Sequence, residues 1–205
     1  MTAEASLAGL SPSLVTGVSA PRPITDRERA KYDAIWGFEQ YHAVSPGLNL
    51  VEMFWSIARP KPGEVLVDVG AGSGAASRAL QDRGLSVTAF DFTSEAWAHK
   101  DITLHTGSIW RELTNLNGAK YVYCCDVMEH IPPELTGLCI SNILRICEKA
   151  FFSVSFVPDV MGAKIGETLH LTVKPYLWWL DLFRELGTVI EARDLLTDGV
   201  FYVSK

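Results

Sequence analysis

The sequence predicts a single α/β domain, a mostly parallel sheet with helices on both faces. Three observations point there. From Gly63 onward, short apolar runs alternate with stretches of helical periodicity in the order strand, helix, strand. The first of those runs, Val65 to Val69, passes at once into three alternating glycines and a helix. The 205 residues, 48% hydrophobic and 20% charged, leave room for one substantial core and not for a second full domain.

The elements follow in order. Residues 1–25 are rich in Ala, Ser, Thr, Leu and Pro, show no sustained periodicity, and are expected to form a flexible arm ahead of a single domain over 26–205. From Asp26 to about Ala58 the pattern is helical, with Tyr32, Ile35 and Trp36, then Leu50, Met53, Phe54 and Ile57, at three-to-four spacing. The loop Tyr41 to Gly47 separates the two halves of this N-terminal cap. Strands are predicted at Val65 to Val69, Ser86 to Asp91, Ile102 to His105, Ala119 to Cys125 and Ala150 to Phe156. Helices are predicted between them at Ala75 to Arg83, Glu95 to His99 and Pro133 to Lys149. A helix near Pro175 to Leu186 precedes a hairpin turning at Thr197, Asp198 and Gly199. Within that helix Trp178, Trp179, Phe183 and Leu186 are read as a core face.

Composition narrows the function. A formal net charge of −6 argues against the broad basic surface that nonspecific nucleic-acid binding requires. The stretch Arg22 to Lys31 mixes four basic residues with Asp26 and Glu28, and reads as a solvated helix face. No apolar run is long enough to span a membrane, and the acidic Glu4 stands where a secretion signal would be basic, so a soluble, cytoplasmic protein is expected. Cys124, Cys125, Cys139 and Cys147 show neither zinc-ligand nor C-x-x-C spacing, and read as small residues of a reduced core; no metal ligand is assigned.

The most informative stretch is VLVDVGAGSGAASRAL, Val65 to Leu80. Glycines at 70, 72 and 74 let the chain turn sharply and approach a ligand without a Cβ in the way, while the following helix offers free N–H groups. Asp91 ends the second strand, where a carboxylate can accept hydrogen bonds from ribose hydroxyls, and Phe92 can pack on an adenine ring. An adenosine-containing cofactor is implied. Gly70, Gly72 and Ala75 also satisfy the dinucleotide form G-x-G-x-x-G/A, so spacing alone leaves the cofactor open.

Asp68-Val-Gly70-Ala71-Gly72-Ser-Gly74, then Asp91, then Asp126-Val127-Met-Glu129-His130-Ile-Pro resemble the class I S-adenosylmethionine-dependent methyltransferases, from about Glu64 onward. The resemblance implies a Rossmann-like, seven-stranded sheet ending in an antiparallel hairpin, here Thr188 to Lys205, and S-adenosylmethionine as cofactor. It places the glycine loop against the methionine part, Asp91 on the ribose and Asp126 facing the methyl group. The acid usual after strand three is replaced here by Ser108, followed by Ile109, so a serine oxygen is expected to meet the adenine amino group. KYDAIW, YHAVSPG and GETLHLTVKPYLWW further resemble small phage-encoded members. On that narrower likeness Trp36 and Tyr41 are expected to cover the cofactor, with Pro46-Gly47 as a hinge.

Methyl transfer from a sulfonium is an in-line displacement that needs alignment first and a base only if the acceptor must lose a proton. The candidates are Asp126, Glu129 and His130 after strand four, with Glu167 and His170 after strand five. The alternative role for Glu129 and His130 is to fix the turn into the helix at Pro132 or Pro133. The turn after strand four reads DVME, unlike the D/N-P-P-Y/F of enzymes that methylate exocyclic amines of DNA bases, and no cysteine beside a proline stands there for cytosine-C5 chemistry. The expected function is methyl transfer to O or N of a small molecule or modified nucleotide. The alternatives are a cofactor-binding module without catalysis, serving as a sensor or assembly partner, and a nicotinamide-dependent oxidoreductase. The last is disfavoured by the roughly 50 residues left after strand five.

Overall fold

Seven strands form one sheet in the order β3-β2-β1-β4-β5-β7-β6. The computed structural model describes residues 22–42, 45–111 and 113–205, so most of the predicted arm lies outside the described residues. The strands are β1 (Val65–Val69), β2 (Ser86–Asp91), β3 (Leu104–Thr106), β4 (Ala119–Cys125), β5 (Cys147–Ser155), β6 (Thr188–Asp194) and β7 (Asp198–Ser204). The first five run parallel, and β7 enters antiparallel between β5 and β6. This is the Rossmann-like, seven-stranded arrangement with a C-terminal antiparallel hairpin that the sequence predicts.

Alternation along the central strands builds two cores. In β4, Val122 and Cys124 point to one face, while Tyr121, Tyr123 and Cys125 point to the other. The first face carries α5 (Pro133–Ile146) and α6 (Tyr176–Leu186), which bury Ile140, Ile143, Trp179 and Phe183. The second carries α3 (Pro46–Ala58) and α4 (Ala75–Asp82), which bury Phe54 and Leu80. Both faces being covered, the inner strands are largely apolar, with Asp68 of β1 and Ser153 and Ser155 of β5 as buried polar exceptions.

The departures from expectation have local causes. The fifth strand starts at Cys147, because Cys147 and Lys149 pair with Ala119 and Tyr121 of β4; the helix before it therefore stops at Ile146. Residues 95–99 form no helix: they make a turn in which the Trp97 indole N–H donates to His99 O at 2.6 Å. The final reversal falls at residues 195–197, since Asp198 is already paired with Ser155; Leu196 takes φ 76°, and its N–H donates to Asp194 Oδ1 at 3.0 Å.

The N-terminal cap comprises α1 (Arg22–Ile35), α2 (Glu39–His42) and α3, so helix begins four residues before the predicted Asp26. Tyr41 sits on α2 and not in a loop. Pro46 and Gly47 form the first turn of α3, where Pro is tolerated for lack of a needed N–H. The buried Gly47 has Tyr123, Cys125 and Ala76 within 3.3 to 3.5 Å of where a Cβ would stand, and Tyr123 OH donates to its carbonyl. The pair expected to hinge is thus packed against β4 and α4.

Phe54 is fully buried and meets Tyr121, Tyr123 and Phe151 edge-on at centroid distances of 5.7, 5.4 and 5.6 Å. Phe54→Ala is therefore expected to cost about 3 to 5 kcal/mol in urea unfolding, and Phe54→Leu clearly less. Equal, small losses for both would mean α3 does not seal the sheet.

Candidate active site

In an open α/β sheet the chain reverses its winding between β1 and β4, and the crevice at their C-terminal ends is where ligands bind. The glycine loop lies there. Gly70 and Ala71 N–H both donate to Phe90 O, at 2.8 and 3.2 Å, and tie the loop to β2. Gly70 has φ 77°, and a Cβ on it would stand 2.2 Å from Val127 Cγ2, so no other residue fits against the segment leaving β4. At Gly72, φ 54°, a Cβ would approach the Trp36 ring at 3.1 Å.

Asp91 is 8% exposed. Its carboxylate accepts from Gly72 N–H at 2.8 Å and from Thr93 N–H at 3.1 Å. Burial raises its pKa, and those backbone donors pull the other way. Asp68 is buried beneath the loop and accepts the Ser77 hydroxyl at 2.5 Å. Burial pushes its carboxyl up to about 7, against the opposing Ser77 hydrogen bond.

Two adjoining cavities open over this loop. The first, about 690 Å³ and partly open to solvent, has Asp91, Phe92, Ile109 and Trp110 on one side and Asp126, Val127 and His130 on the other. The second, about 580 Å³, is lined by Asp68, Ala71, Ser73, Cys125 and Asp126 among others. Gly70, Gly72, Asp126, Trp36 and Tyr41 border both. Trp36 and Tyr41 pack edge-on at 4.6 Å where the two meet.

Helix α1 crosses above the first cavity. Tyr32 packs edge-on against Phe92 at 6.3 Å and His130 at 5.8 Å, and the Arg29 guanidinium lies 4.9 Å from the Phe92 ring centre. Thr93 Oγ1 donates to Asp33 at 2.7 Å, and Trp110 Nε1 donates to Thr25 Oγ1 at 3.2 Å. The expected solvated face of α1 is partly buried: Glu28 and Lys31 pair at 2.6 Å, and Lys31 Nζ donates to Thr168 O at 3.0 Å. A buried pair of this kind fixes register more than it adds stability.

Most predicted residues meet here, and some do not. Gly74 lines neither cavity; with φ 82° it begins α4, and a Cβ would meet His99 at 2.5 Å and Trp97 at 2.7 Å, so it serves packing. Ser108 is buried outside the lining, its carbonyl taking Arg111 N–H at 3.0 Å, while its neighbours Gly107 and Ile109 face the cavity. Sequence reasoning missed Trp110, Phe90 and Tyr32. The signal for Trp110 was its place directly after Ile109.

Asp126 leaves β4 with φ 60°, a strained value for a residue with a side chain, and its N–H donates to Ser153 O. Glu129 is fully buried: its Oε1 accepts Ser155 N–H at 2.7 Å, and its carbonyl accepts both Leu171 and Thr172 N–H at 2.8 Å. These bonds tie the exit of β4 to the end of β5 and to the segment at 171–172, and not to the turn into α5. Burial, then the neighbouring Asp126, raises the Glu129 pKa. Its Oε2, like His130 Nδ1, has no hydrogen-bond partner. His130 and His170 meet edge-on at 4.7 Å, and burial lowers the His130 pKa to about 4. His170 Nδ1 lies 2.6 Å from Val157 O. The sequence assigns no metal ligand, yet the ligand atoms of Glu129, His130 and His170 lie within 4.8 Å of one another.

No family model matches the chain, and no curated protein does. Solved structures do. A 1,6-didemethyltoxoflavin-N1-methyltransferase of Burkholderia thailandensis, with bound 1,6-didemethyltoxoflavin and S-adenosylhomocysteine, aligns at TM-score 0.68 and 14% identity over 94% of this chain and 93% of that one. Phosphoethanolamine N-methyltransferase 2 of Haemonchus contortus, in complex with S-adenosyl-L-methionine, aligns at 0.66 and 16% over 92% of this chain and 60% of that one. A methyltransferase of Haloferax volcanii described as putative, in complex with the Trm112 methyltransferase activator, aligns at 0.61 and 16% over 84% and 96%. At such identities the likeness is one of fold: the chain has the Rossmann-like fold that class I S-adenosylmethionine-dependent methyltransferases share.

The raised Asp68 pKa sets a pH dependence. Between 3.8 and about 7 the unfolded chain ionises while the folded carboxyl stays protonated, so stability falls as pH rises through this window and levels off above it. Asp68→Asn keeps an acceptor for Ser77 and is expected to remove the share of the slope that Asp68 contributes, gaining on the order of a few kcal/mol over the native chain above pH 7. Urea unfolding at several pH values checks this; parallel curves for the two proteins would contradict it.

Proposed function

We propose that the chain binds S-adenosylmethionine across the two cavities and transfers its methyl group to O or N of a small molecule or modified nucleotide. The observation that carries this reading is Gly70, where no side chain fits, and Gly72, where φ 54° and the Trp36 ring crowd one, beside Asp91 in the wall of the same cavity. The apolar slot of Phe90, Phe92, Ile109 and Trp110 suits an adenine ring, and Asp91 suits the ribose hydroxyls. The polar second cavity, with Asp68 and Ser73, suits the amino-acid end of the same molecule.

S-adenosylmethionine supplies an electrophilic methyl group on a sulfonium. The chain's own part is to hold an acceptor in line and to exclude water. Asp126, which borders both cavities, faces the join between them. His130 borders the first cavity, and its lowered pKa keeps the ring neutral at pH 7, able to hydrogen-bond an acceptor there. Trp36 and Tyr41 act as the cover, since they line both compartments at their junction.

S-adenosylhomocysteine is expected to bind with micromolar affinity and raise the melting temperature, while NAD does neither. Asp91→Ala should weaken that binding at least tenfold by removing charge-assisted hydrogen bonds, and more than Ser108→Ala does. A larger thermal shift with NAD, or unchanged affinity in Asp91→Ala by calorimetry, would overturn the reading. Hydrogen exchange on Trp36 and on Glu39 to Tyr41 should slow when S-adenosylhomocysteine is added; unchanged exchange there would remove the cover from it.

A further inference from the structure

We propose that Glu129, His130 and His170 form a binding site for one divalent transition-metal ion, placed to receive an oxygen-bearing acceptor in the first cavity. Two buried polar atoms point to it. His130 Nδ1 is sealed from solvent without a hydrogen-bond partner, and Glu129 Oε2, equally sealed, has only the Asp126 carboxyl beside it, a costly arrangement unless a proton or an ion lies between them. Glu129 and His130 are 0% and 9% exposed, and are brought together with His170 across 41 positions of chain by the bonds from Leu171 and Thr172 to the Glu129 carbonyl.

The donor set has the right chemistry. One carboxylate and two imidazoles with further positions open suit zinc, iron or manganese better than magnesium, which prefers an all-oxygen shell. A tetrahedral ion with bonds of about 2.1 Å needs ligand atoms about 3.4 Å apart, so the observed span of up to 4.8 Å asks only for modest side-chain rotation. The outer groups are already in place. Ser155 N–H holds the other Glu129 oxygen, and Val157 O accepts from His170 Nδ1, which leaves Nε2 of that ring with its lone pair.

The charge fits as well. Asp126 and Glu129 bring two carboxylates together, and the nearby Lys31 ammonium is engaged by Glu28 and Thr168 O. An ion here would neutralise that surplus at the wall of the cavity formed by Asp126 and His130. The acceptor class rests on the methyltransferase reading: a hydroxyl bound at the open position loses its proton readily and keeps lone pairs to attack the methyl group, whereas a bound amine has its only lone pair engaged by the ion. The acceptor O–H bond then breaks, its proton passing to solvent. The O–C bond forms as the C–S bond breaks, the latter's electron pair returning to sulfur, and no redox change is needed.

The test is calorimetric titration of ZnCl2, MnCl2 and MgCl2 into the full chain after chelator treatment and dialysis, with S-adenosylhomocysteine titrated into the same samples. One equivalent of Zn2+ is expected to bind at micromolar or better affinity, at least tenfold tighter than Mg2+. The partly exposed His170→Gln and the isosteric Glu129→Gln should each weaken Zn2+ at least tenfold while circular dichroism stays native. Co2+ should give a visible absorption band that His170→Gln removes. S-adenosylhomocysteine binding without one-to-one Zn2+ binding, or Zn2+ binding indifferent to both variants, would overturn the site and leave the methyltransferase reading standing. Zn2+ binding lost in both variants, with no S-adenosylhomocysteine binding, would uphold the site and overturn that reading instead.

Discussion

The absence of a side chain at Gly70 is the constraint on which the site depends. The loop after β1 and the segment after β4 diverge from neighbouring strands, and they can touch only because Val127 fills the volume a Cβ would need. That contact fixes the glycine loop against the stretch carrying Asp126, Glu129 and His130. Two other ties complete the frame: the Phe90 carbonyl and Asp91 carboxylate hold the loop to β2, and Glu129 joins the exit of β4 to the end of β5. Four strand ends, of β1, β2, β4 and β5, are thereby locked at one edge, and the cavities between them inherit their shape from backbone bonds.

Much of this frame was legible from sequence because it rests on local pattern. β1, β2 and β4 fall where their apolar runs begin and end, and the alternating glycines announce a tight strand-to-helix turn. What failed to show was settled by partners distant in the chain. Lys31 looked solvated among its charged neighbours, yet Thr168, 137 residues away, draws it inside. Gly74 had the spacing of a ligand-loop glycine, and only the folded position of Trp97 and His99 shows that it makes room for rings. The end of α5 was overrun by strand pairing, where tertiary context outweighs helix periodicity. The approach of His130 to His170 carries no spacing signal, because two separate loops deliver them.

The cap divides its work between packing and reach. α3 is bound into the second core by Phe54 and by the Tyr123 hydroxyl on Gly47, so it behaves as part of the sheet layer. α1 instead spans the mouth, attached by polar links through Thr25, Lys31 and Asp33, by ring edges from Tyr32 and by the fully buried Ile35 at its end. Elements held by few apolar contacts open at lower free energy than the core beneath them.

The placement of β7 bears on how the chain is made. During synthesis β5 emerges with α5 and pairs with β4, but its other edge stays bare until Asp198 to Ser204 arrives to occupy it. Some forty residues of translation separate the two, during which Phe151 to Val154 present unpaired amides and apolar side chains. Open edges of that kind recruit foreign strands. The nascent protein thus carries a window of aggregation risk that closes only when β7 inserts into the sheet's interior, and slow or interrupted elongation over that interval would lengthen it.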